Sequence, residues 1–251
     1  MENCNHAKVS SRSNSYSITF KVSMFSKFIN TAAVATFFLL TGCATQTKMP
    51  FSGPDNAAVN ADKSVYLMTA TIKNIHRTSH QPKAIVMHVE KGEAKESADR
   101  INYTMDALAK AETDTPAGST YYLRMELDKG EYVIRGITGM SSSFPIHGMF
   151  FTPIHAKLVP TTPGIFYLGH VEAVARKRNE NEFKAGPSIP LIDQAIAGAS
   201  TSTFDITISD QWASDEASFK SRFPVLNGTT IQKSILPAFD REFAQQWWAA
   251  H

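Results

Sequence analysis

Short runs of β-branched and aromatic residues, separated by turn-forming residues, dominate the chain after position 63. The runs cover residues 65–75, 84–90, 121–127, 131–137, 149–158, 165–175 and 204–208. Within 121–127, apolar residues alternate with Arg124 and Glu126, which is the pattern of a strand with one buried face. So many short, closely spaced strands predict a mainly β fold, an antiparallel β-sandwich of the Greek-key or prealbumin-like type.

Two of these runs flank Asp128-Lys129-Gly130, which predicts a hairpin. The motif Leu127-x-x-Gly130-x-Tyr132, with Pro163-Gly-Ile-Phe-Tyr-Leu-Gly169 further on, resembles the prealbumin-like or carboxypeptidase-regulatory-like modules of exported proteins. It also resembles ectodomains of uncharacterised bacterial lipoproteins. The resemblance implies a fold and no particular activity.

The C-terminal part has the spacing of helices. Ser214 is a predicted N-cap, and Phe219 and Phe223 lie four residues apart before a proline. Further on, three aromatic residues repeat every four positions, namely Phe239, Phe243 and Trp247. Because this last segment lacks the Lys/Arg-rich face of an interfacial helix, we expect it to pack on the sandwich rather than dock to a membrane or a partner.

The N-terminal part carries a different signal. Met24 to Lys27 form a short basic segment, and residues 29–40 form an apolar run too short to span a bilayer as a permanent helix. The run ends in Leu40-Thr41-Gly42-Cys43, which resembles the lipobox of bacterial lipoproteins. The Ser-rich residues 1–23 resemble no signal component, so we expect translation to begin at Met24.

The lipobox resemblance implies cleavage between Gly42 and Cys43, with lipid such as palmitate attached to the Cys43 thiol. A Gram-negative lipoprotein is commonly retained in the inner membrane by an aspartate after that cysteine. Here the following residue is Ala44, so the resemblance implies sorting to the outer membrane. We expect a signal segment at 1–42, a lipidated flexible tether at 43–62 and a folded domain at 63–251.

The net charge of the chain after cleavage argues against nucleic acid as a partner. Four of the 25 basic residues and one of the 23 acidic residues precede Cys43, so the net charge of +2 becomes −1 after cleavage. The folded domain therefore lacks the basic footprint of a nucleic-acid binder. The other cysteine, Cys4, also lies before the cleavage site, so no intramolecular disulfide is expected in the folded domain.

Histidines are the candidates for chemistry. The first group is His76, His80 and His88, and the second group is His147, His155 and His170. Imidazoles brought together can bind zinc, but no cysteine or carboxylate-rich motif completes either set, so we predict no metal and no other cofactor. Motifs of nucleophilic catalysis and of nucleotide binding are absent from the sequence.

The sequence therefore favours an envelope lipoprotein held to a membrane by lipid on Cys43, with a non-enzymatic domain. Such a domain has a structural role or binds an envelope protein, a peptide or a glycan. The alternative is a periplasmic hydrolase or metal-binding enzyme, which requires at least two of the six histidines to meet a carboxylate in one pocket.

Overall fold

The computed structural model describes residues 45–52, 60–110, 118–187 and 192–250. The strands are β1 Thr45–Lys48, β2 Ser64–Asn74, β3 Lys83–Lys91, β4 Arg100–Thr104, β5 Ser119–Leu127, β6 Tyr132–Ser143, β7 Ile146–Leu158, β8 Gly164–Lys177, β9 Ser202–Ser209 and β10 Ile231–Lys233. The helices are α1 Ile192–Ile196, α2 Trp212–Arg222 and α3 Arg241–Ala250, with short 3₁₀ turns at Ser97–Asp99 and Pro224–Leu226. The predicted mainly β fold is confirmed.

Two sheets form a sandwich. Sheet A has the strand order β1-β4-β3-β6-β7, and sheet B has the order β10-β8-β2-β5, with β9 also paired to β8. Both sheets are mixed, because β1–β4, β2–β8 and β8–β10 are parallel pairs whereas the other pairs are antiparallel. The prediction of a β-sandwich with C-terminal helices is confirmed, whereas the predicted antiparallel pairing is wrong for these three pairs, which local sequence patterns do not reveal.

Strand β2 is buried on both faces, because its successive side chains point alternately into two different cores. Tyr66 and Met68 contribute to the core between the two sheets, whereas Val65 and Leu67 contribute to a second core on the outer face of sheet B. Phe219 of α2 is fully buried in that second core. Because successive side chains of a strand point to opposite faces, one nearly continuous apolar strand can hold both layers together.

The predicted hairpin between 121–127 and 131–137 is wrong. Strand β5 pairs with β2 in sheet B, whereas β6 pairs with β3 and β7 in sheet A. Leu127 and Tyr132, on either side of the turn, both belong to the core between the sheets. The turn therefore carries the chain from one sheet to the other, and each strand still directs its apolar face into the same core.

The residues after Cys43 differ from the expected flexible tether. Thr45–Lys48 pair in parallel with β4, and Met49 and Phe51 are only 2% and 4% exposed. The guanidinium of Arg124 donates a hydrogen bond from Nε to the carbonyl of Pro50 at 2.8 Å. Two apolar side chains and one buried cation thus dock residues 45–52 on the domain, while residues 53–59 lie outside the described part of the chain.

Helix α2 confirms the predicted pair Phe219 and Phe223, both of which are fully buried. The predicted N-cap is wrong, because the helix begins at Trp212 with Gln211 in the cap position. Ser214 instead donates a hydrogen bond to the carbonyl of Gln211 at 2.9 Å, inside the first turn. A different local contact lies at this end of the helix, where the backbone N–H of Trp212 donates a hydrogen bond to Oδ1 of Asp210 at 3.0 Å.

Candidate functional site

The outer face of sheet B is divided into two halves. Helix α2 and the 3₁₀ turn Pro224–Leu226 cover the half formed by Val65, Leu67 and Ile165. Further along the same strands, polar side chains of β2, β8 and β9 replace the apolar ones. A small polar pocket lies at the boundary, next to the first turn of α2.

A bulge between β2 and β8 positions the central residue of this pocket. Leu67 is opposite Tyr167 and Thr69 is opposite His170, so β8 has one residue more than β2 in this interval. Gly169 occupies the bulge with φ of 105°, and a Cβ there would approach the carbonyl oxygen of Ser209 to 2.9 Å. The extra residue places both Tyr167 and His170 on the outer face of the sheet.

Four side chains form a continuous hydrogen-bond chain at the pocket. The hydroxyls of Tyr167 and Thr69 both donate to Oδ2 of Asp215, each at 2.5 Å. The same Thr69 oxygen lies 2.9 Å from Nδ1 of His170. These contacts join β2, β8 and α2 at residues that are far apart in sequence.

This chain determines which nitrogen of His170 carries the proton. A threonine hydroxyl has one hydrogen, and Thr69 gives it to the Asp215 carboxylate, which only accepts. Nδ1 of His170 must therefore donate to Thr69, which leaves Nε2 of the neutral ring as a hydrogen-bond acceptor. Burial lowers the pKa of His170, against the opposing charges of Asp215 and Glu172, so the neutral ring is favoured at pH 7.

The pocket has a volume of about 280 Å³ and is lined only by polar residues. The lining consists of Thr71, His170, Glu172, Thr207, Ser209, Gln211, Ser214 and Asp215. Glu172 already pairs with Lys73 at 2.7 Å, and this hydrogen bond lowers the pKa of Glu172. The carboxylate of Asp215 accepts the hydroxyls of Thr69 and Tyr167. Both carboxylates of the pocket therefore have partners within the protein.

The other histidines lie elsewhere. His88 is on the outer face of sheet A, where Nδ1 lies 2.8 Å from Asn102 Oδ1 and Nε2 lies 2.7 Å from Thr138 Oγ1. Nε2 of His76 is 3.3 Å from the hydroxyl of Thr201. His80 contacts the neighbouring Ser79, and His147 contacts Ser142.

His155 belongs to an aromatic cluster that holds α3. Its ring centroid is 4.8 Å from that of Trp247, and Trp247 also stacks on Phe151 at 6.1 Å. Phe243 contacts the other side of the His155 ring but is 43% exposed. The expectation that α3 packs on the sandwich is confirmed, although its aromatic stripe is only partly covered.

No group of three histidine, cysteine, aspartate or glutamate side chains within the described residues is arranged to hold a metal ion. His155 and His170 each share a pocket with a carboxylate, Asp240 and Asp215 respectively, but the two pockets are separate. In the described ranges, the structure therefore does not bring two of the six candidate histidines and a carboxylate into one of these pockets.

The predicted lipidation and cleavage residues, Gly42 and Cys43, lie outside the described residues. In the ranges that are described, no helix is both long and apolar enough to cross a bilayer.

Three members of the site, Thr69, Tyr167 and Asp215, were not among the candidate residues predicted from the sequence. One signal was present: Thr69 and Thr71 are hydroxyl residues at alternate positions of an otherwise apolar strand. Such residues mark a face that is polar beyond the point where an apolar cover ends. Their partners come from β8 and α2, so only the assembled sheet identifies them.

Comparison with known proteins gives no relative. The chain matches no protein-family model, and no curated protein or solved structure is significantly similar to it. Its function must therefore be argued from the sequence and the site themselves.

Proposed function

We propose that this protein is an exported lipoprotein of the bacterial cell envelope, whose sandwich domain binds a small polar ligand rather than catalysing a reaction. The pocket at His170 carries the binding part of the proposal. It presents one imidazole nitrogen in a fixed, neutral, accepting state, surrounded by hydroxyl side chains. A fixed acceptor in a polar pocket is an arrangement for orienting a ligand.

The same geometry argues against a nucleophilic role for Thr69. Its side chain is fully buried and its proton is given to Asp215, so the hydroxyl is not positioned to attack a substrate. The other hydroxyls that line the pocket form no hydrogen bond with His170 in the described part of the chain, so no exposed nucleophile is paired with the imidazole there. Binding is therefore the function that the contacts favour.

The segment Leu40-Thr41-Gly42-Cys43 supports the lipoprotein part of the proposal. Strand β1 begins at Thr45, two residues after Cys43, and two residues span at most about 7 Å. Lipid on Cys43 would therefore hold the end of sheet A where β1 begins close to the bilayer. Two or more acyl chains are sufficient for stable attachment.

Metabolic labelling with a fatty-acid analogue tests the anchoring. We expect the wild-type protein to be labelled and the Cys43→Ala variant to be unlabelled and uncleaved, because the thiol is the acyl acceptor. Thr41→Ser is the matched control, since it changes a residue of the same segment, keeps the Cys43 thiol and should leave labelling unchanged. Persistent labelling of Cys43→Ala would contradict the proposed lipoprotein.

The proposed location is the outer membrane if the cell has one, because Ala44 rather than aspartate follows Cys43. Density fractionation should place the mature protein with outer-membrane markers. The Ala44→Asp variant should move towards inner-membrane fractions while remaining lipidated. If the wild-type protein fractionates with inner-membrane markers, the sorting proposal fails and the lipid anchor is unaffected.

A further inference from the structure

The charges of the His170 pocket restrict the class of ligand. Among the described residues, no lysine or arginine lines the pocket, whereas two carboxylates do. A phosphate or carboxylate ligand would lose its hydration beside like charges and gain no cationic partner, which is unfavourable. An anionic ligand is therefore excluded by the lining.

Cationic ligands are disfavoured for a different reason. The ammonium of Lys73 already occupies Glu172 at 2.7 Å, so a ligand amine would have to compete with it. The Asp215 carboxylate accepts two short hydroxyl hydrogen bonds, which satisfy much of its charge. Removing an ammonium group from water is costly unless it finds a free charged partner.

Hydroxyl groups fit the remaining donors and acceptors. Nε2 of His170 accepts a hydrogen bond, and the hydroxyls of Thr207 and Ser209 can each donate and accept. The hydroxyl of Ser214 donates to the carbonyl of Gln211, so it can accept from a ligand. A ligand with several adjacent hydroxyls satisfies such a set because each of its groups also donates and accepts. The pocket volume of about 280 Å³ is just below the roughly 300–1,000 Å³ that is usual for small-molecule sites. A pocket of this size suits one sugar ring.

We propose that the pocket between β8, β9 and the first turn of α2 binds an uncharged sugar residue, with His170 Nε2 accepting a hydrogen bond from one of its hydroxyls. This inference deepens the proposed binding function and rests on it. The ligand class is a neutral polyhydroxylated ring, either free or as part of a glycan.

Three sugars that differ mainly in charge form the test. Binding of N-acetylglucosamine, glucosamine and glucuronate to the purified full-length protein in detergent is measured by titration with ligand-observed NMR, which can be applied equally to every variant. We expect N-acetylglucosamine to bind with millimolar affinity, glucosamine more weakly and glucuronate not at all. Tighter binding of glucosamine or of glucuronate would overturn the inferred ligand class while leaving the proposed binding function in place.

Variants locate the binding. His170→Ala should weaken N-acetylglucosamine binding by about ten-fold, the effect of one lost hydrogen bond. Thr207→Val alters an exposed residue of the lining and should also weaken binding while preserving the fold. His147→Ala is the control, because that exposed histidine lies on β7 in sheet A. Equal affinity in all three variants, or no binding of any sugar, would overturn the inference.

The pH dependence gives a separate check. The charged groups facing His170 are Asp215 from α2 and Glu172 on β8, with Lys73 of β2 bonded to Glu172. Protonation of His170 converts Nε2 from an acceptor into a donor. Sugar binding should therefore weaken as the pH falls through the pKa of His170, which burial lowers below its ordinary value, and the Thr207→Val variant should keep this dependence. A pH-independent affinity would contradict the role of His170.

Failure of this inference can be separated from failure of the proposed function. Fatty-acid labelling of the wild-type protein and of Cys43→Ala tests the anchor, and its outcome does not depend on sugar binding. A ligand of another chemical class that binds the wild-type protein and binds His170→Ala more weakly would retain the binding function and reject the sugar.

Discussion

The guanidinium of Arg124 is fully buried and pairs with the carboxylate of Asp106 on the outer face of sheet B. Burial lowers the pKa of Arg124, whereas the charge of Asp106 raises it and favours the charged form. Arg124 also donates to the carbonyl of Pro50 and lies 4.3 Å above the ring of Phe223. One cation therefore connects the N-terminal segment, β5 and the end of α2.

Arg124→Met should strongly destabilise the protein, because it leaves Asp106 without its cationic partner and releases the carbonyl of Pro50. We expect a loss of about 3–5 kcal/mol in the free energy of unfolding, measured by urea denaturation. Arg135→Met is the matched control. Arg135 pairs with Glu90 at a half-buried site, and its loss should cost about 1 kcal/mol or less.

The double variant Arg124→Met with Asp106→Leu should recover much of the stability lost in the single variant, since no unpaired charge remains. A second readout is trypsin cleavage after Lys48, which should become faster when the segment 45–52 is released. Unchanged stability and unchanged cleavage in Arg124→Met would show that this cation does not hold the segment.

Aromatic residues of the two C-terminal helices should differ in their contribution to stability. Phe219 is fully buried, so Phe219→Ala should cost about 3–5 kcal/mol. Trp247 is half-buried against Phe151 and His155, so Trp247→Ala should cost roughly 1–2 kcal/mol, less than a fully buried indole. Chemical denaturation of both variants measures the difference, and equal losses would contradict the partial exposure of α3.

The tautomer of His170 can be observed directly. Nitrogen-15 NMR should show a protonated Nδ1 and an unprotonated Nε2 at pH 7.5, because Thr69 accepts from Nδ1. Thr69→Val removes that acceptor and should shift the ring towards the Nε2-protonated tautomer. Thr71→Val serves as the control, since the hydroxyl of Thr71 pairs with Thr120 at 2.7 Å. A wild-type ring protonated on Nε2 would refute the proposed hydrogen-bond chain.

Stability should depend on the protonation of His170. Burial lowers its pKa in the folded state, so the unfolded chain, with the ordinary pKa of about 6.5, binds the proton first as the pH falls. The folded state therefore loses stability below pH 6.5, by at most about 1.4 kcal/mol for each pH unit from this group. Unfolding free energies at pH 7.5 and 5.5 should differ less in His170→Gln than in the wild-type protein.

His76 also has a pKa lowered by burial, and it is unchanged in the His170→Gln variant. Its contribution is therefore common to both proteins and cancels in the comparison. An identical pH dependence of the two proteins would mean that His170 titrates normally in the folded state.

Local sequence patterns were sufficient for most strands. The alternation in 121–127 and the apolar run at 65–75 correspond to β5 and β2. These strands were predictable because a strand with one buried face repeats its apolar residues with a period of two. A strand with two buried faces is apolar along most of its length. Strands β1, β4 and β10 were missed, since each is short and its residues are polar or mixed.

Strand partners were decided by the tertiary structure. The turn at Asp128-Lys129-Gly130 has the composition of a hairpin, yet its strands belong to different sheets. A turn sequence specifies a change in direction over a few residues, whereas pairing depends on which face must be covered across the whole core. Similarly, Met49 and Phe51 stand among polar residues, yet Met49 is buried in the core between the sheets and Phe51 is buried beside Phe223 in the second core.

By itself, the sequence determined the strand-rich composition, the two aromatic helix signals and the lipobox-like segment ending at Cys43, because each depends on residues close together in the chain. The tertiary structure alone decided the site at His170. Thr69 and Asp215 are 146 positions apart, and they meet because α2 packs on the outer face of sheet B. A one-residue bulge in β8 places both Tyr167 and His170 on that same face. Contacts between paired strands leave no pattern in the local sequence, because the backbone hydrogen bonds that form them join residues that are far apart along the chain.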